Sequence, residues 1–214
     1  MKIIDLSHLN HPKMPVYPET ESPFFQFETN LKEHGFRETK MILYSHIGTH
    51  LDAPGHMLEK GSFLEKMNIE HFYGKATMLN FTNYKNKSIT LKYLKTYEDR
   101  IRKVEFVIIN TGWSRYWTNQ KYYTDYPFLN CNAAKWLARF NLKGVGIDTI
   151  SIDKSGSEVF GTHKILLSKN IIIIENLTNL ATIESDYFTL SVFPIKYQYS
   201  DGSPVRAVAI EDNC

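Results

Sequence analysis

Three histidines and an aspartate are concentrated in one short segment of the sequence, S-H-I-G-T-H-L-D-A-P-G-H at residues 45–56. The whole chain has eight histidines, so three within eleven positions is an unusual concentration. Histidine and aspartate gain little from burial unless they are paired or bound to a metal. A lone histidine is ordinarily a surface or hydrogen-bonded residue, but this cluster predicts a metal site that involves His46, His50, Asp52 and His56.

Two backbone conformations compete for this segment. On a helix, His46 and His50 would share one face at i and i+4, but Gly48 and Pro54 disfavour a helix. In an extended chain, alternate residues share one face, namely His46, Gly48, His50 and Asp52. A straight strand would hold His46 and His50 roughly 13 Å apart. The sequence therefore predicts a bend at Gly48, where a bulge or kink costs least.

Further candidates for the site lie beyond residues 46–52. The Pro-Gly turn at residues 54–55 is predicted to swing His56 back toward the same cavity. His163 falls in the first turn of a predicted helix, whose dipole favours the neutral, ligating imidazole. Glu175 ends the apolar run 171–174, where a carboxylate is poorly tolerated without a partner. A seven-residue helix and a returning strand both span about 10 Å, so Glu175 can lie beside His163.

The elements that must position these residues are short strands and a few helices. Nine segments favour strands: residues 2–6, 24–29, 37–45, 76–81, 104–110, 144–148, 171–175, 188–197 and 205–210. Three helices are predicted at residues 91–102, 133–140 and 163–169, capped by Thr90, Asn132 and Thr162. This mixture predicts an α/β or α+β domain with a mixed sheet, in one continuous domain over residues 1–214. Periodicity leaves the strand order open.

Composition narrows the function classes. The 25 basic and 23 acidic side chains leave a net charge of +2, which gives no case for nucleic acid or an anionic membrane as partner. The apolar runs are too short to cross a bilayer, and the first ten residues do not resemble a signal peptide. Cys131 and Cys214 are too few for a disulfide framework and are expected to be inert thiols in a cytoplasmic protein. No G-x-S-x-G elbow, G-x-G-x-x-G motif or P-loop occurs in the sequence.

The segment H-I-G-T-H-L-D-A-P-G-H resembles the H-x-G-T-H-x-D-x-P-x-H signature of the cyclase-like metal hydrolases, which include bacterial kynurenine formamidase and isatin hydrolase. The resemblance extends to I-D-L-S and P-V-Y-P near the start, to G-I-D-T-I-S-I-D, and to the order of His163 and Glu175. It implies an α/β fold, a swivelling β/β/α domain with a mixed sheet flanked by a few helices. It also implies a homodimer or homotetramer.

Carried over residue by residue, the resemblance implies two divalent metal ions per chain, zinc or manganese, with five ligands: His46, His50, Asp52, His163 and Glu175. The first ion would be held by His46, His50 and Asp52. Asp52 would bridge to the second ion, and Glu175 would contact both. His56 would stay free of metal and act as proton donor and acceptor.

Three other positions bear on the site. Tyr17, in P-V-Y-P, stands where formamidases of this family typically present a tryptophan to the substrate, so it is expected to contact substrate. A tyrosine in place of this tryptophan bears on which substrate the protein binds, and it does not affect the predicted metal chemistry. Asp148 and Asp153 either orient ligands or close a turn, and they are not included in the predicted site. Two aromatic stretches, residues 24–27 and 122–128, are candidates for the subunit contact.

A metal pair suits hydrolysis of a small amide, because it activates water and polarises the carbonyl. A histidine near its ordinary pKa can move the proton. Three hypotheses follow: an arylformamidase that converts N-formylkynurenine to kynurenine and formate, a hydrolase of another amide such as a cyclic imide or lactam, and a non-catalytic protein stabilised by metal. Histidine and carboxylate ligands beside a spare histidine favour an open catalytic site. The ligands are compatible with zinc and with manganese.

Overall fold

The computed structural model describes residues 1–212 of the 214-residue chain. Within that range the strands are β1 (Lys2–Asp5), β2 (Phe24–Phe27), β3 (Thr39–Ile42), β4 (His50–Asp52), β5 (Tyr73–Asn80), β6 (Ser88–Ile89), β7 (Phe106–Asn110), β8 (Phe128–Leu129), β9 (Gly144–Ile147), β10 (Ile172–Glu175), β11 (Phe188–Ser191), β12 (Gly202–Pro204) and β13 (Val208–Glu211). The α-helices are α1 (Leu31–His34), α2 (Pro54–Met57), α3 (Leu91–Leu94), α4 (Glu98–Ile101), α5 (Cys131–Leu137) and α6 (Gly161–Leu167).

A mixed sheet of nine strands forms the centre, in the order β1-β13-β11-β5-β7-β9-β10-β4-β12. Its middle strands β5, β7, β9 and β10 are parallel, and the strands on both sides of them are antiparallel. Strands β2 and β3 form a separate antiparallel ribbon, and β6 pairs with β8. The sequence pattern could not give this order, which depends on pairings between distant segments.

The middle of the sheet is buried on both faces. In β7, Val107 and Ile109 belong to one apolar cluster, and Phe106 and Ile108 belong to another. This division follows from the alternation of side chains along a strand. In a sequence, parallel strands that are buried on both faces appear as continuous apolar runs, as β7 and β10 do. Two clusters therefore hold the sheet, and the polar residues at the end of β10 stand out against an apolar background.

The predicted elements agree with the structure in type and differ at their ends. Every predicted strand overlaps an observed one, whereas β6, β8 and β12 were not predicted, and β4 lies in the histidine-rich segment that was expected to be extended. The helix predicted over residues 91–102 is α3, a 3₁₀ turn and α4 in succession. Asn132 is not a cap: α5 begins at Cys131, and the side chain of Asn130 accepts a hydrogen bond from the Ala133 amide.

The prediction that Thr162 caps the third helix is also wrong. Helix α6 begins at Gly161, and Thr162 lies inside it. The Thr162 hydroxyl donates instead to the Leu129 carbonyl at 2.7 Å. Cys131 is exposed, and Cys214 lies outside the described residues. None of the helices found in residues 1–212 combines the length and the apolar character that a membrane span requires.

Candidate active site

The histidine-rich segment is neither a helix nor one continuous strand. Strand β4 covers only His50–Asp52 and lies between β10 and β12. Just before it, Gly48 has φ +60°, the left-handed conformation that glycine adopts without strain. A Cβ at this position would also overlap the side chain of Asn10. The bend brings the rings of His46 and His50 to 5.3 Å between centroids, so the predicted bend at Gly48 is confirmed.

Asp52 lies at the centre of the cluster and is 1% exposed. Its Oδ1 atom is 2.7 Å from His46 Nδ1 and 3.3 Å from His50 Nε2. Its Oδ2 atom is 3.4 Å from His163 Nε2. Within residues 1–212, however, Oδ2 makes no hydrogen bond of acceptable geometry. Three imidazoles thus surround one buried carboxylate, one oxygen of which lacks a partner.

Glu175 and His163 complete the cluster from the opposite side. Glu175 is the last residue of β10 and pairs in register with His50 of β4. Its Oε1 atom lies 3.3 Å from His163 Nε2 and accepts a hydrogen bond of 2.7 Å from the Ile152 amide. Its Oε2 atom lies 3.8 Å from His50 Nε2. The strand end therefore returns beside the start of α6, as the lengths of the two elements predicted.

Two of the histidines are held so that the same ring nitrogen faces the cluster. His50 donates through Nδ1 to the Gly48 carbonyl at 2.8 Å, and Asn176 Nδ2 donates to that carbonyl at 2.8 Å. His163 donates through Nδ1 to Asp153 Oδ2 at 2.7 Å. In both residues Nε2 is left facing the carboxylates. A partner on the outer nitrogen that fixes the tautomer and ring orientation is the usual companion of a metal-binding histidine.

The two aspartates left open by the sequence have different roles. Asp153 orients His163, and its oxygens also accept from the amides of Thr162 and His163. Asp148 closes a turn, because it accepts hydrogen bonds from the backbone of Thr111 and Trp113. Burial raises the pKa of Asp148 above its ordinary value.

The electrostatics of the cluster favour cations. Burial alone would raise the pKa of Asp52, but the close approach of His163, His46 and His50 outweighs it and holds the pKa well below the ordinary value. Burial would likewise lower the pKa of His163, but Asp153, Asp52 and Glu175 raise it well above its ordinary value. This is opposite to the neutral imidazole expected from the helix dipole, because the three carboxylates outweigh the end of a short helix. Without a metal, protons on histidine balance the buried negative charge.

His56 lies on the cavity side of the cluster. The one-turn helix α2 carries it back, so that its ring centroid is 3.8 Å from that of His46. Burial lowers the pKa of His56 to about 4. Potential ligand atoms of His46, Asp52 and His56 all lie within 4.8 Å of one another, as do those of His50, Asp52 and Glu175. His56 is thus close enough to bind an ion, and its predicted freedom from metal stays a prediction.

Asp201 is a member of the site that sequence reasoning missed. Its Oδ2 atom lies 3.0 Å from His46 Nε2 and 3.7 Å from His56 Nδ1. Burial lowers the pKa of His46, but the hydrogen bonds to Asp201 and Asp52 outweigh it and raise the pKa to about 10. In the sequence, Asp201 and Gly202 give only an ordinary turn signal. Its position follows from the pairing of β12 with β4, which no local pattern encodes.

The cluster opens into a cavity of about 380 Å³. Much of the remaining wall is apolar or aromatic: Pro15, Val16, Tyr17, Tyr44, Met57, Ile150 and Phe160. Tyr17 lies on this wall and is 38% exposed. None of the described residues that line the cavity is lysine or arginine. The cavity therefore suits a small, largely apolar molecule with one polar group directed at the histidines.

The donor set fits divalent metal ions. Three imidazoles, Asp52 and Glu175 supply the mixed nitrogen and oxygen ligands that zinc and manganese accept. The unpartnered Oδ2 atom of Asp52 is available to a cation. The other histidines lie apart: His8 stacks on Trp117 at 3.8 Å between ring centroids, and His71 Nε2 is 3.0 Å from the Lys143 carbonyl.

Known proteins resemble this chain in sequence and in fold. The family model described as "Putative cyclase" matches residues 4–154. The chain belongs to the cyclase family. A member of known name, the kynurenine formamidase of Geobacillus thermodenitrificans (strain NG80-2), is 30% identical over 207 residues that cover 95% of each chain.

Two solved structures share the fold. An isatin hydrolase bound to the product analogue thioisatinate superposes with a TM-score of 0.90 over 99% of this chain and 93% of that one, at 20% identity. A potential metal-dependent hydrolase with cyclase activity gives a TM-score of 0.83 at 27% identity, over 100% of this chain and 99% of that one. The mixed α/β fold predicted for a cyclase-family member is thereby confirmed.

Proposed function

We propose that this cyclase-family protein is a metal-dependent arylformamidase, which hydrolyses N-formylkynurenine to kynurenine and formate. The observation that carries the proposal is the position of the histidine and carboxylate cluster at the wall of a cavity with aromatic sides. A closed structural site would have its ligands surrounded by protein on all sides. The kynurenine formamidase relative supports the amide substrate, and the metal-dependent hydrolase neighbour supports the metal.

Two divalent ions, zinc or manganese, would be held by His46, His50, Asp52, His163 and Glu175. When bound, they would supply Lewis acidity that activates water and polarises the amide carbonyl. Asp52 suits the bridging position because its two oxygens face different histidines, Oδ1 toward His46 and His50 and Oδ2 toward His163. Glu175 offers its two oxygens to His50 and His163 in the same way.

His56 moves the proton in this mechanism. Water adds its oxygen to the carbonyl carbon, the C–N bond breaks, and the amine nitrogen takes a proton. His56 accepts the proton of the attacking water and returns it to the leaving nitrogen. Its Nδ1 atom is turned toward Asp201 at 3.7 Å, which leaves Nε2 for the reacting atoms. Burial lowers the pKa of His56 to about 4, below the ordinary value expected from the sequence, so the imidazole is neutral at pH 7 but is a weaker base than expected.

A neutral cyclic imide or lactam is the second candidate substrate, and two observations favour it. By the resemblance to the family, Tyr17 stands where formamidases typically present a tryptophan to the substrate. The described wall of the cavity also lacks a lysine or arginine that would pair with the carboxylate of N-formylkynurenine. The isatin hydrolase fold is compatible with such a substrate.

A hydrolysis screen on the zinc- and the manganese-loaded protein tests both candidates. The substrates are N-formylkynurenine, isatin and a cyclic imide, with kynurenine followed by absorbance. Turnover of N-formylkynurenine above that of the other two supports the arylformamidase. Turnover of isatin or the imide alone would replace it with the second candidate. A protein that binds both ions tightly and hydrolyses none of the three would instead be the metal-stabilised, non-catalytic alternative.

We also propose a homodimer or homotetramer in the cytoplasm. The arm, residues 24–42 with β2, α1 and β3, exposes the apolar side chains of Phe27, Phe36 and Met41 at 76%, 55% and 58%. A two-stranded ribbon of this size is marginally stable by itself, so contact with a second copy is expected to hold it. In the other aromatic stretch, Tyr122 and Tyr126 are buried in the core of the chain, so this stretch offers less surface for such a contact.

A further inference from the structure

The turn before β12 is held in place from two sides. Glu65 accepts hydrogen bonds from the amides of Tyr199 and Ser200 and from the Ser200 hydroxyl. The Leu64 amide donates to the Ser200 carbonyl at 2.9 Å, and the Ala53 amide donates to the Asp201 carbonyl at 2.8 Å. The backbone of Asp201 is therefore fixed both to the chain that follows α2 and to the end of β4.

This turn packs directly against the ring of His46. Gly202 pairs in register with Asp52, and a Cβ at Gly202 would overlap three atoms of the His46 ring. On the same side, Asp201 Oδ2 lies 3.0 Å from His46 Nε2, a hydrogen-bond distance. The opposite ring nitrogen, Nδ1, lies 2.7 Å from Asp52 Oδ1. The imidazole is thus held between two carboxylates, with glycine backbone against its face.

We infer that Asp201 is a positioning residue, which accepts the Nε2 proton of His46 and so presents Nδ1 to the metal ion. The inference rests on the proposed function, since it assumes that His46 is a ligand. His46 would then bind through the nitrogen opposite to that used by His50 and His163, whose Nδ1 atoms already donate to Gly48 and Asp153. A hydrogen-bonded carboxylate behind a ligating imidazole also raises its basicity.

The geometry favours this role over direct metal binding by Asp201. The ring of His46 lies between the Asp201 carboxylate and Asp52, with one nitrogen bonded to each. The side chain of Asp201 is 37% exposed, whereas that of Asp52 is 1% exposed. Gly202 strengthens the assignment, because a residue with a side chain there would displace the ring that Asp201 holds.

Metal affinity of the intact protein tests the inference without any substrate. Zinc binding is measured by competition with a chromophoric chelator for the wild type, Asp201→Ala and Asp201→Asn. Asp186→Ala is the matched control, because Asp186 forms an exposed ion pair with Arg100. Loss of the partner behind a ligand typically costs about 10- to 100-fold in affinity, and we expect this loss for one of the two ions in Asp201→Ala. Asp201→Asn keeps an acceptor oxygen for Nε2, so its loss should be smaller.

Nitrogen-15 NMR of histidine in the zinc-loaded wild type supplies a second readout. It should show His46 protonated at Nε2 and bound to zinc at Nδ1. Zinc on Nε2, or native affinity for both ions in Asp201→Ala, would overturn the inference. Equal losses in the two Asp201 variants would make Asp201 a ligand or a charge partner instead. A wild type that takes up no zinc would overturn the proposed function and this role together, whereas one that binds zinc but hydrolyses nothing would leave the role of Asp201 standing.

Discussion

The two halves of the candidate metal centre are built differently. The inner half, His50, His163 and Glu175, is only 3–4% exposed. Its residues come from β4, α6 and β10, which pack together in the middle of the fold. The outer half, His46, His56 and Asp201, has side chains that are 22–37% exposed. They come from a bend, a one-turn helix and a turn. Asp52 joins the two halves.

This difference separates two ways of holding a ligand. In the inner half, strand register and helix packing position the side chains, and individual hydrogen bonds add to that positioning. In the outer half, orientation depends on individual contacts, namely Asp201 behind His46 and the bend at Gly48. We therefore expect the ion held with His163 and Glu175 to bind more tightly than the ion held with His46, and the outer half to carry the adjustable chemistry beside the cavity.

Asp52→Asn should have the largest effect, because it removes a negative charge between the two halves. Two cations would then lie close together with less charge to hold them, and one of the three imidazoles would face an amide nitrogen. We expect at least one ion to be lost, with a fall in affinity well beyond the about 10- to 100-fold cost of losing an outer hydrogen-bond partner. Elemental analysis and chelator competition measure this. Retention of both ions at native affinity would show that Asp52 is not the bridge.

His56→Ala and His50→Ala should separate proton transfer from metal binding. His56→Ala should keep both ions and lower turnover about 10²- to 10⁴-fold, the usual contribution of a general acid–base group. His50→Ala should lose metal and activity together. Metal content and turnover of both variants are measured on whichever substrate the screen identifies. If His56→Ala also loses an ion, His56 is a ligand, as its distances to His46 and Asp52 permit.

Zinc binding should release protons from both halves, because His46 in the outer half and His163 in the inner half both hold a proton in the metal-free chain. In the metal-free chain the pKa of His46 is about 10, so the residue holds a proton at pH 7 that a ligating nitrogen must lose. Apparent affinity should therefore rise with pH, by about tenfold per unit for each proton released. Calorimetry in two buffers of different ionisation enthalpy counts the protons. Asp201→Ala removes one of the two carboxylates that raise this pKa, so it should release fewer. Zinc binding that is independent of pH between 6 and 7.5 would show that the metal-binding histidines do not lose a proton when zinc binds.

Disruption of the arm, residues 24–42, should have the smallest effect on metal affinity, and it should affect only the outer half of the metal centre. Strand β3 leads through Tyr44 and Ser45 directly to His46. The double substitution Phe27→Ser and Met41→Ser should give a monomer by light scattering, with less than about tenfold loss for one ion. The exposed Ile69, remote from the arm in sequence, supplies the control Ile69→Ser, which should leave assembly unchanged. A monomeric wild type at micromolar concentration would refute the assembly proposal.

The sequence was informative wherever the chemistry is local. The spacing of His46, His50 and Asp52 and the need for a bend at Gly48 follow from strand geometry, and the structure has that bend. The approach of Glu175 to His163 follows from the lengths of two consecutive elements. Their roles as ligands, that of Tyr17 toward substrate, and the single domain over residues 1–214 stay predictions.

The sequence-based predictions were wrong where a contact joins residues that are far apart in the chain, or where two sequence features favour different structures. The caps were misplaced because asparagine and threonine are common near helix starts, and only the hydrogen bonds distinguish Asn130 from Asn132. In the metal-free chain three carboxylates, whose approach the sequence does not show, outweigh the helix dipole and raise the pKa of His163.

The sequence by itself determined which donor atoms are available and in what spacing, because side-chain chemistry and the rise of a strand are properties of a few neighbouring residues. Only the tertiary structure decided which nitrogen of His46 faces the centre. That choice depends on Asp201, which lies 155 positions after His46. This partner is brought in by the pairing of β12 with β4. Pairing of distant strands is selected by packing of the whole sheet, and a local pattern carries no record of it.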